Sequence, residues 1–201
     1  GDTGLNTGGM GAISPVPFLD KALRKKIENT VIIPTIRGLK KERIEYQGFI
    51  FFGLINVQNK PYVIEYNTRL GDPETQVIMP RIKSDLLKLL ISIDNGLKFK
   101  KQDIMITKKM AATIILTSGG YPETYEKGHA IKGLQKVSDS IVFHAGVKIN
   151  GSEHITNGGR VLAITSMDNG LDLAINKSYR NIQKIKFQDM YFRKDIGKDV
   201  L

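Results

Sequence analysis

The stretch VIEYNTRLGDPETQ, residues 63–76, joins a segment rich in β-formers to a polar loop. The segment PYVIEYN predicts a β-strand over residues 61–67, and the Gly-Asp-Pro at 71–73 is typical of a loop. The preceding run GFIFFGLINV, residues 48–57, is apolar and rich in β-formers, which predicts a buried strand. Residues 58–60 then form the turn of a β-hairpin.

Glu65 and Asn67 lie two residues apart on the predicted strand, so their side chains share one face. A carboxylate and an amide oxygen are hard ligands that suit Mg²⁺. Arg69 follows with a planar guanidinium that can hold a carboxylate or a phosphate through two hydrogen bonds. The same residues also suit a solvated hairpin end with ordinary ion pairs, because short motifs often match by chance.

The stretch GDTGLNTGGMGAISP, residues 1–15, is a glycine-rich loop of the kind that lets backbone approach a ligand closely. It lacks the Gly-Lys-Ser/Thr of a Walker phosphate loop and the GxGxxG spacing of a dinucleotide-binding loop. By itself, the stretch therefore fits either a flexible turn or a ligand-binding loop.

The 201 residues are 41% hydrophobic and 25% charged, which is typical of one large or two small globular domains. The chain has no cysteine, which excludes disulfides and thiolate catalysis. We see neither a membrane span nor a signal peptide and expect a cytoplasmic protein. The net charge of +10 raises nucleic-acid binding as an alternative, but the basic residues are scattered and not interleaved with aromatic side chains.

Periodicity and turn residues predict an α+β fold. Asp20 is expected to serve the first turn of the first helix, Pro34 lies near the start of the second, and an Asp or Asn caps the last. The predicted helices span residues 18–29, 30–45, 77–95 and 168–185. The further predicted strands lie near residues 111–117, 140–146 and 159–167, with a turn at 148–151.

NTGGMGAISP and VIEYNTRLGDPETQ, in that order, resemble the phosphoribosylamine–glycine ligases, also called glycinamide ribonucleotide synthetases. The resemblance continues through SGGYPETYEKGHAIKGL, VFHAGVKING, TNGGRVLAITS and YFRKDIGKDVL, and covers essentially the whole chain. It implies a partial ATP-grasp domain followed by a small mixed α/β C-terminal domain. The corresponding division is residues 1–95, a linker at 96–109, and residues 110–201.

The resemblance implies a ligase of purine biosynthesis that uses ATP and Mg²⁺ (or Mn²⁺) to join glycine to 5-phosphoribosylamine through a glycyl phosphate. The partners it implies are these two small molecules, with no nucleic acid and no membrane. It also implies that the chain is the C-terminal half of an enzyme that is a monomer at full length. Without the N-terminal half, we expect the fragment to be inactive. The alternatives are another ATP-grasp carboxylate–amine ligase and a basic nucleic-acid-binding module.

The resemblance also implies a set of site residues. Glu65 and Asn67 match the metal-binding pair, and Arg69 and Asp72 are the catalytic candidates. Arg69 would hold the glycine carboxylate or the transferring phosphoryl group, and Asp72 would orient an amine. The backbone amides of residues 7–10 would form an anion-binding nest. The substrate-binding candidates are Asn6, Thr7, Gly8, Gly9, Met10, Glu74, Thr75, His144, Gly159 and Arg160.

Overall fold

The computed structural model describes residues 3–93, 99 and 103–201, so part of the predicted linker 96–109 lies outside the described residues. Strands and helices are mixed along the chain, which confirms the α+β prediction. The strands are β1 Gly11–Ser14, β2 Phe51–Val57, β3 Lys60–Asn67, β4 Met110–Thr117, β5 Ile141–His144, β6 Val147–Asn150, β7 Glu153–Thr156 and β8 Arg160–Asp168. The helices are α1 Lys21–Ile27, α2 Ile33–Lys41, α3 Thr75–Ile78, α4 Leu86–Ile93 and α5 Leu171–Ile182.

The chain forms two compact units, each assembled from separate stretches of sequence. The first unit, here called the sheet unit, contains Gly1–Pro15, Asp72–Lys83 and Ile106–Leu201. The second, here called the hairpin unit, contains Val16–Gly71 and Ser84–Met105. The predicted division of the chain into a 1–95 and a 110–201 domain stays a prediction. In the described part of the chain, no helix is both long and apolar enough to cross a membrane.

The sheet unit is built on an antiparallel sheet in the order β1-β4-β8-β5. β4 and β8 lie in its centre, and most of their side chains are fully buried. This explains their nearly continuous apolar sequence, since both faces of a central strand are covered. α5 packs Ala174 and Ile175 against Ala112, and Ile182 joins the main core.

The register of this sheet gathers three loops at one edge. Gly11 of β1 pairs with Ile114 of β4, so the stretch before β1 runs toward the carboxyl end of β4. Thr117 at that end pairs with Arg160, the first residue of β8. The opening loop, the segment after β4 and the turn before β8 therefore meet at the same edge.

The hairpin unit contains the predicted β2–β3 hairpin, and Gln58 and Asn59 form its turn. Both turn residues have positive φ, of 50° and 59°, which is the geometry of a tight hairpin turn. The prediction that β2 is buried is wrong, because its residues are only half-buried or exposed. The two strands form a two-stranded sheet, and apolar side chains such as Ile64 remain exposed.

The first two predicted helices are continuous in the structure. A π-helical segment, Glu28–Ile32, joins α1 to α2, and Pro34 lies in the first turn of α2 as expected. Asp20 caps α1, because its carboxylate accepts a hydrogen bond of 2.7 Å from the amide of Leu23.

The predicted helix over residues 77–95 is wrong, because the chain leaves helical geometry in its middle. α3 ends at Ile78, a 3₁₀ turn follows, and Ile82 is extended. The guanidinium of Arg81 donates to Ser14 Oγ at 2.7 Å and to two backbone carbonyls, which anchors the segment to the rest of the sheet unit. A new helix begins only after Asp85, whose carboxylate accepts a bond from the amide of Lys88.

Two local predictions in the second half of the chain need correction. Residues 148–150 belong to β6, and the turn follows at Gly151, which has a φ of 59°. Gly170 caps α5 with no side-chain hydrogen bond, in place of the expected Asp or Asn. Asp168 instead pairs with Lys177 at 2.6 Å, so its carboxylate is used within the unit.

Candidate active site

Arg160 connects two loops at the edge of the sheet where the opening loop and the turn before β8 meet. Its Nη2 donates to Asp72 Oδ2 at 2.8 Å, and its Nη1 donates to the carbonyl oxygens of Asp72 and Gly9 at 3.0 and 3.1 Å. The side chain of Arg160 is 23% exposed and that of Asp72 is 48% exposed. One guanidinium therefore holds both the opening loop and the loop that begins at Asp72.

Tyr121 makes a second connection to the opening loop. Its hydroxyl accepts a hydrogen bond of 3.0 Å from the amide of Gly8. Its ring lies so close to Gly159 that a Cβ added there would be 2.3 Å from Cδ2 of the ring. The glycine at 159 is thus needed for packing. The amide of Gly8 donates to the Tyr121 hydroxyl, and the anion-binding nest of residues 7–10 stays a prediction.

Asp72 has hydrogen bonds to both of its carboxylate oxygens. Oδ2 accepts from Arg160, and Oδ1 accepts from Nε2 of Gln76 at 2.9 Å. Glu74 precedes α3, and its carbonyl accepts the amides of Val77 and Ile78. Thr75 is the first residue of α3. The backbone of the predicted loop thus leads directly into a short helix.

A pocket of about 850 Å³ lies beside these loops, within the sheet unit. Its volume falls in the range that small-molecule sites use. Three of the predicted substrate-binding residues line it, namely Asn6, Thr7 and Met10. The pocket is also lined by Ser118, Gly119, Gly120, Tyr121, Pro122, Asp189, Met190, Tyr191 and Arg193. The structure therefore places part of the predicted site in a concave space of suitable size.

Glu65 and Asn67 lie side by side on β3, in the hairpin unit. The amide Nδ2 of Asn67 is 2.9 Å from Oε1 of Glu65. Gly53 pairs with Glu65 across the hairpin, and a Cβ on Gly53 would be 2.8 Å from Cγ of Glu65. The glycine therefore leaves the space that the Glu65 side chain occupies. Among the described residues there is no cluster of three or more His, Cys, Asp or Glu side chains suited to a metal.

This donor set fits a Mg²⁺ or Mn²⁺ ion that is shared with a substrate. A rotation of the Asn67 amide presents its oxygen beside the Glu65 carboxylate, which gives two hard oxygen ligands at one place. Mg²⁺ is commonly bound by one or two protein oxygens together with substrate phosphates and water. The pair fits that kind of site and does not fit a closed structural metal centre.

Arg69 also belongs to the hairpin unit, where its side chain donates to the carbonyl of its neighbour Leu70 at 2.8 Å. It is exposed. The predicted cluster of residues 65–75 is therefore divided between the two compact units, with residues 65–69 in one and 72–75 in the other.

His144 ends β5, and its ring stands edge-to-face against that of His154, with centroids 5.2 Å apart. Burial lowers the pKa of His144, and the positive charge of His154 lowers the pKa further. This pair forms an independent feature of the sheet unit. The substrate role expected for His144 stays a prediction.

Sequence reasoning missed Tyr121 and Gln76, and it included Arg160 only as a substrate-binding candidate. Tyr121 lies in SGGYPETYEKGHAIKGL, a stretch that carried part of the family resemblance but supplied no candidate site residue. Gly8 and Tyr121 are 113 positions apart, so no local pattern connects them. The one signal for this contact in the sequence was the presence of an aromatic residue, Tyr121, together with glycines in three loops.

Two family models match the chain in order. One is described as the ATP-grasp (A) domain of phosphoribosylglycinamide synthetase and matches residues 1–75; the other, the C domain of the same synthetase, matches residues 111–199. A phosphoribosylamine–glycine ligase from Fusobacterium nucleatum is 44% identical over 200 residues, covering 98% of this chain and 47% of the relative. The chain belongs to the phosphoribosylamine–glycine ligase family. It spans about half the length of the curated family members it matches.

Solved structures agree with this family assignment. The crystal structure of the phosphoribosylamine–glycine ligase from Thermotoga maritima is similar with a TM-score of 0.85 and 34% identity. That likeness covers 97% of this chain and 48% of the ligase. The biotin carboxylase of Campylobacter jejuni, 16% identical with a TM-score of 0.61 over 94% of this chain and 44% of its own, shares the fold alone.

Proposed function

We propose that this chain supplies about half of a ligase that joins glycine to 5-phosphoribosylamine and forms glycinamide ribonucleotide. Family membership carries the proposal, because two domain models of one enzyme match successive parts of the chain. The remaining half would be the N-terminal segment that the sequence resemblance implies. The complete ligase, meaning this chain joined to that segment, is the protein on which activity is to be measured.

The proposed reaction has two balanced steps. The glycine carboxylate attacks the γ-phosphorus of ATP, which forms glycyl phosphate and releases ADP. The amine of 5-phosphoribosylamine then attacks the acyl carbon, phosphate leaves, and the amine loses a proton. Such chemistry depends chiefly on positioning and on neutralising negative charge.

Glu65 and Asn67 are the residues that would hold Mg²⁺ or Mn²⁺ in this scheme. The ion, when bound, would offset the negative charge on the ATP phosphates. Arg69 is exposed and carries a guanidinium suited to the glycine carboxylate or the transferring phosphoryl group. The glycine at position 53 supports the proposal, since it makes room for the Glu65 side chain.

The pocket of about 850 Å³ in the sheet unit is the proposed binding place for a small-molecule substrate. Asn6 and Thr7 would contribute amide and hydroxyl groups to it. Its mixture of apolar and polar lining is suited to a polar molecule of sugar-phosphate size.

The test measures ADP release by the complete ligase with glycine and 5-phosphoribosylamine, beside its Glu65→Gln variant. We expect release that needs both substrates, and a loss of about 100-fold in Glu65→Gln because one charged ligand is removed. Higher Mg²⁺ should recover part of that loss. Glu123→Gln, an exposed carboxylate of the sheet unit, is the matched control and should keep full activity.

Different outcomes would correct different parts of the proposal. ADP release with another amino acid and amine, and none with this pair, would assign the chain to another carboxylate–amine ligase. Full activity and an unchanged Mg²⁺ requirement in Glu65→Gln would remove Glu65 from the metal site. We expect the 201-residue chain alone to be inactive, and turnover by the purified chain would contradict that expectation.

A further inference from the structure

We propose that Arg160 and Tyr121 are positioning residues that lock the opening loop and the Asp72 loop together, and that Arg160 does not bind a substrate phosphate. This assembly of Arg160, Tyr121, Asp72 and the loop residues Gly8 and Gly9 is called the loop latch below. The inference rests on the proposed function for its effect on catalysis. Its structural part stands on contacts within the sheet unit alone.

The donors of Arg160 are largely used inside the protein. Three of its hydrogen bonds go to Asp72 Oδ2 and to the carbonyls of Asp72 and Gly9. Arginine has five N–H donors in a fixed plane, so this fork holds two separate loops at once. The guanidinium also lies so close to Gly8 that a Cβ there would be 3.1 Å from Cζ. A phosphate would have to displace these contacts.

The carboxylate of Asp72 is likewise used in hydrogen bonds within the protein. Its two carboxylate oxygens accept bonds from Arg160 and Gln76. The positive charge of Arg160 compensates the negative charge of the Asp72 carboxylate. To act as a general base, Asp72 would have to break this charge-assisted pair. Asp72 therefore acts as the second half of the latch.

Tyr121 completes the latch from the segment that follows β4. Its hydroxyl fixes the amide of Gly8, and its ring rests on Gly159, the residue before Arg160. Ser118 donates from its hydroxyl to the carbonyl of Gly158 at 2.9 Å and from its amide to the carbonyl of Gly159 at 2.8 Å, so two hydrogen bonds join this segment to the turn before β8. These contacts fix the position of the opening loop, which lines the pocket, relative to the sheet.

The two roles for Arg160 predict different kinetics. A phosphate ligand would be needed to hold the phosphorylated substrate, so its loss would raise the KM for 5-phosphoribosylamine. A positioning residue keeps loop groups in productive geometry, so its loss would lower kcat and change that KM little. Lysine at 160 separates them, since it keeps the charge but has no planar fork.

The experiment uses the complete ligase and its Arg160→Lys and Tyr121→Phe variants, with two measurements. Steady-state kinetics should show kcat lower by about 100-fold in Arg160→Lys and about 10-fold in Tyr121→Phe, with the KM for 5-phosphoribosylamine within about threefold. Hydrogen exchange of the substrate-free enzyme should be about 10-fold faster at residues 7–10 in both variants, because the latch bonds are lost.

Two matched controls test for nonspecific effects. Tyr125→Phe changes a ring whose centroid is 6.3 Å from that of Tyr121 and whose hydroxyl makes no hydrogen bond among the described residues. Arg180→Lys changes an exposed arginine on α5. Both should keep wild-type kinetics and exchange.

Three results would overturn the inference. One is a rise of 10-fold or more in the KM for 5-phosphoribosylamine with unchanged kcat, which would make Arg160 a substrate ligand. Another is unchanged exchange at residues 7–10 in both variants. The third is equal loss of activity in the control variants. If the wild-type complete ligase shows no activity with these substrates, the proposed function fails, and the exchange measurement alone still decides the latch.

Discussion

Gly9→Ala is the perturbation for which the structure gives the sharpest expectation. A Cβ on Gly9 would lie 2.4 Å from Cδ of Pro73, 3.2 Å from its Cγ and 3.6 Å from the carbonyl oxygen of Asp72. Ordinary van der Waals contact begins near 3.4 Å, so either the opening loop or the proline must move by about 1 Å. Gly9 does not have a positive φ, so the cause of any effect is this clash and not backbone strain.

The displacement acts on a carbonyl that Arg160 holds. The Nη1 of Arg160 is 3.1 Å from the oxygen of Gly9, and a movement of 1 Å would break that bond. A misplacement of this size costs about 100-fold in rate when the displaced groups position a substrate. We therefore expect the Gly9→Ala complete ligase to release ADP about 100-fold more slowly at saturating glycine, ATP and 5-phosphoribosylamine.

The control for this variant is Gly38→Ala, which adds the same methyl group in helix α2 where no atom lies within 4 Å. Both proteins should show a cooperative thermal transition, which confirms that the comparison is between folded enzymes. Gly9→Ala with more than half of the wild-type kcat would refute the reasoning. It would mean that the loop accommodates the methyl group without moving the groups that position a substrate.

Three further predictions concern stability. Ile164→Ala, at a fully buried position of β8, should lower the free energy of unfolding by about 3 kcal/mol in urea denaturation, and a loss below about 1 kcal/mol would contradict the packing described. Gly38→Ala should raise that free energy by about 0.5–1 kcal/mol, because alanine favours a helix, and a lower urea midpoint would count against it. The hydrogen bond from Lys177 lowers the pKa of Asp168, so its stabilising effect is present above the unfolded pKa and disappears as the pH falls through the lowered value. Asp168→Asn should therefore lower the melting temperature at pH 7, with a difference that shrinks below about pH 4, and a difference independent of pH would refute this.

Local sequence patterns predicted the elements whose shape depends on near neighbours. The β2–β3 hairpin has its turn at Gln58 and Asn59 as expected, and β4, β8 and α5 lie where the periodicity placed them. Asp20 caps α1 because the cap needs only an oxygen three residues before an amide. Such features depend on a few consecutive residues, so they can be read directly from the chain.

The failures occurred where distant contacts overrode local preference. The apolar rhythm of residues 77–95 predicts a helix, but the hydrogen bonds of Arg81 to Ser14 and to backbone carbonyls hold the chain in a different conformation. β1 was predicted as part of a loop, and it is a strand because β4 supplies its hydrogen-bonding partner. A four-residue segment has little intrinsic preference for β structure, so whether it forms a strand depends on the strand beside it.

The amino-acid sequence was enough to indicate the family and the glycine-rich character of the loops, and it predicts a metal-binding pair at Glu65 and Asn67. Those features depend only on residue types and on short spacings along the chain, so they are visible without a structure. The contacts of Arg160 with Asp72, 88 positions away, and with Gly9, 151 positions away, became visible only in the folded chain. Strand order and register bring the opening loop and the turn before β8 to one edge of the sheet, and pairing between distant strands depends on the packing of the whole sheet.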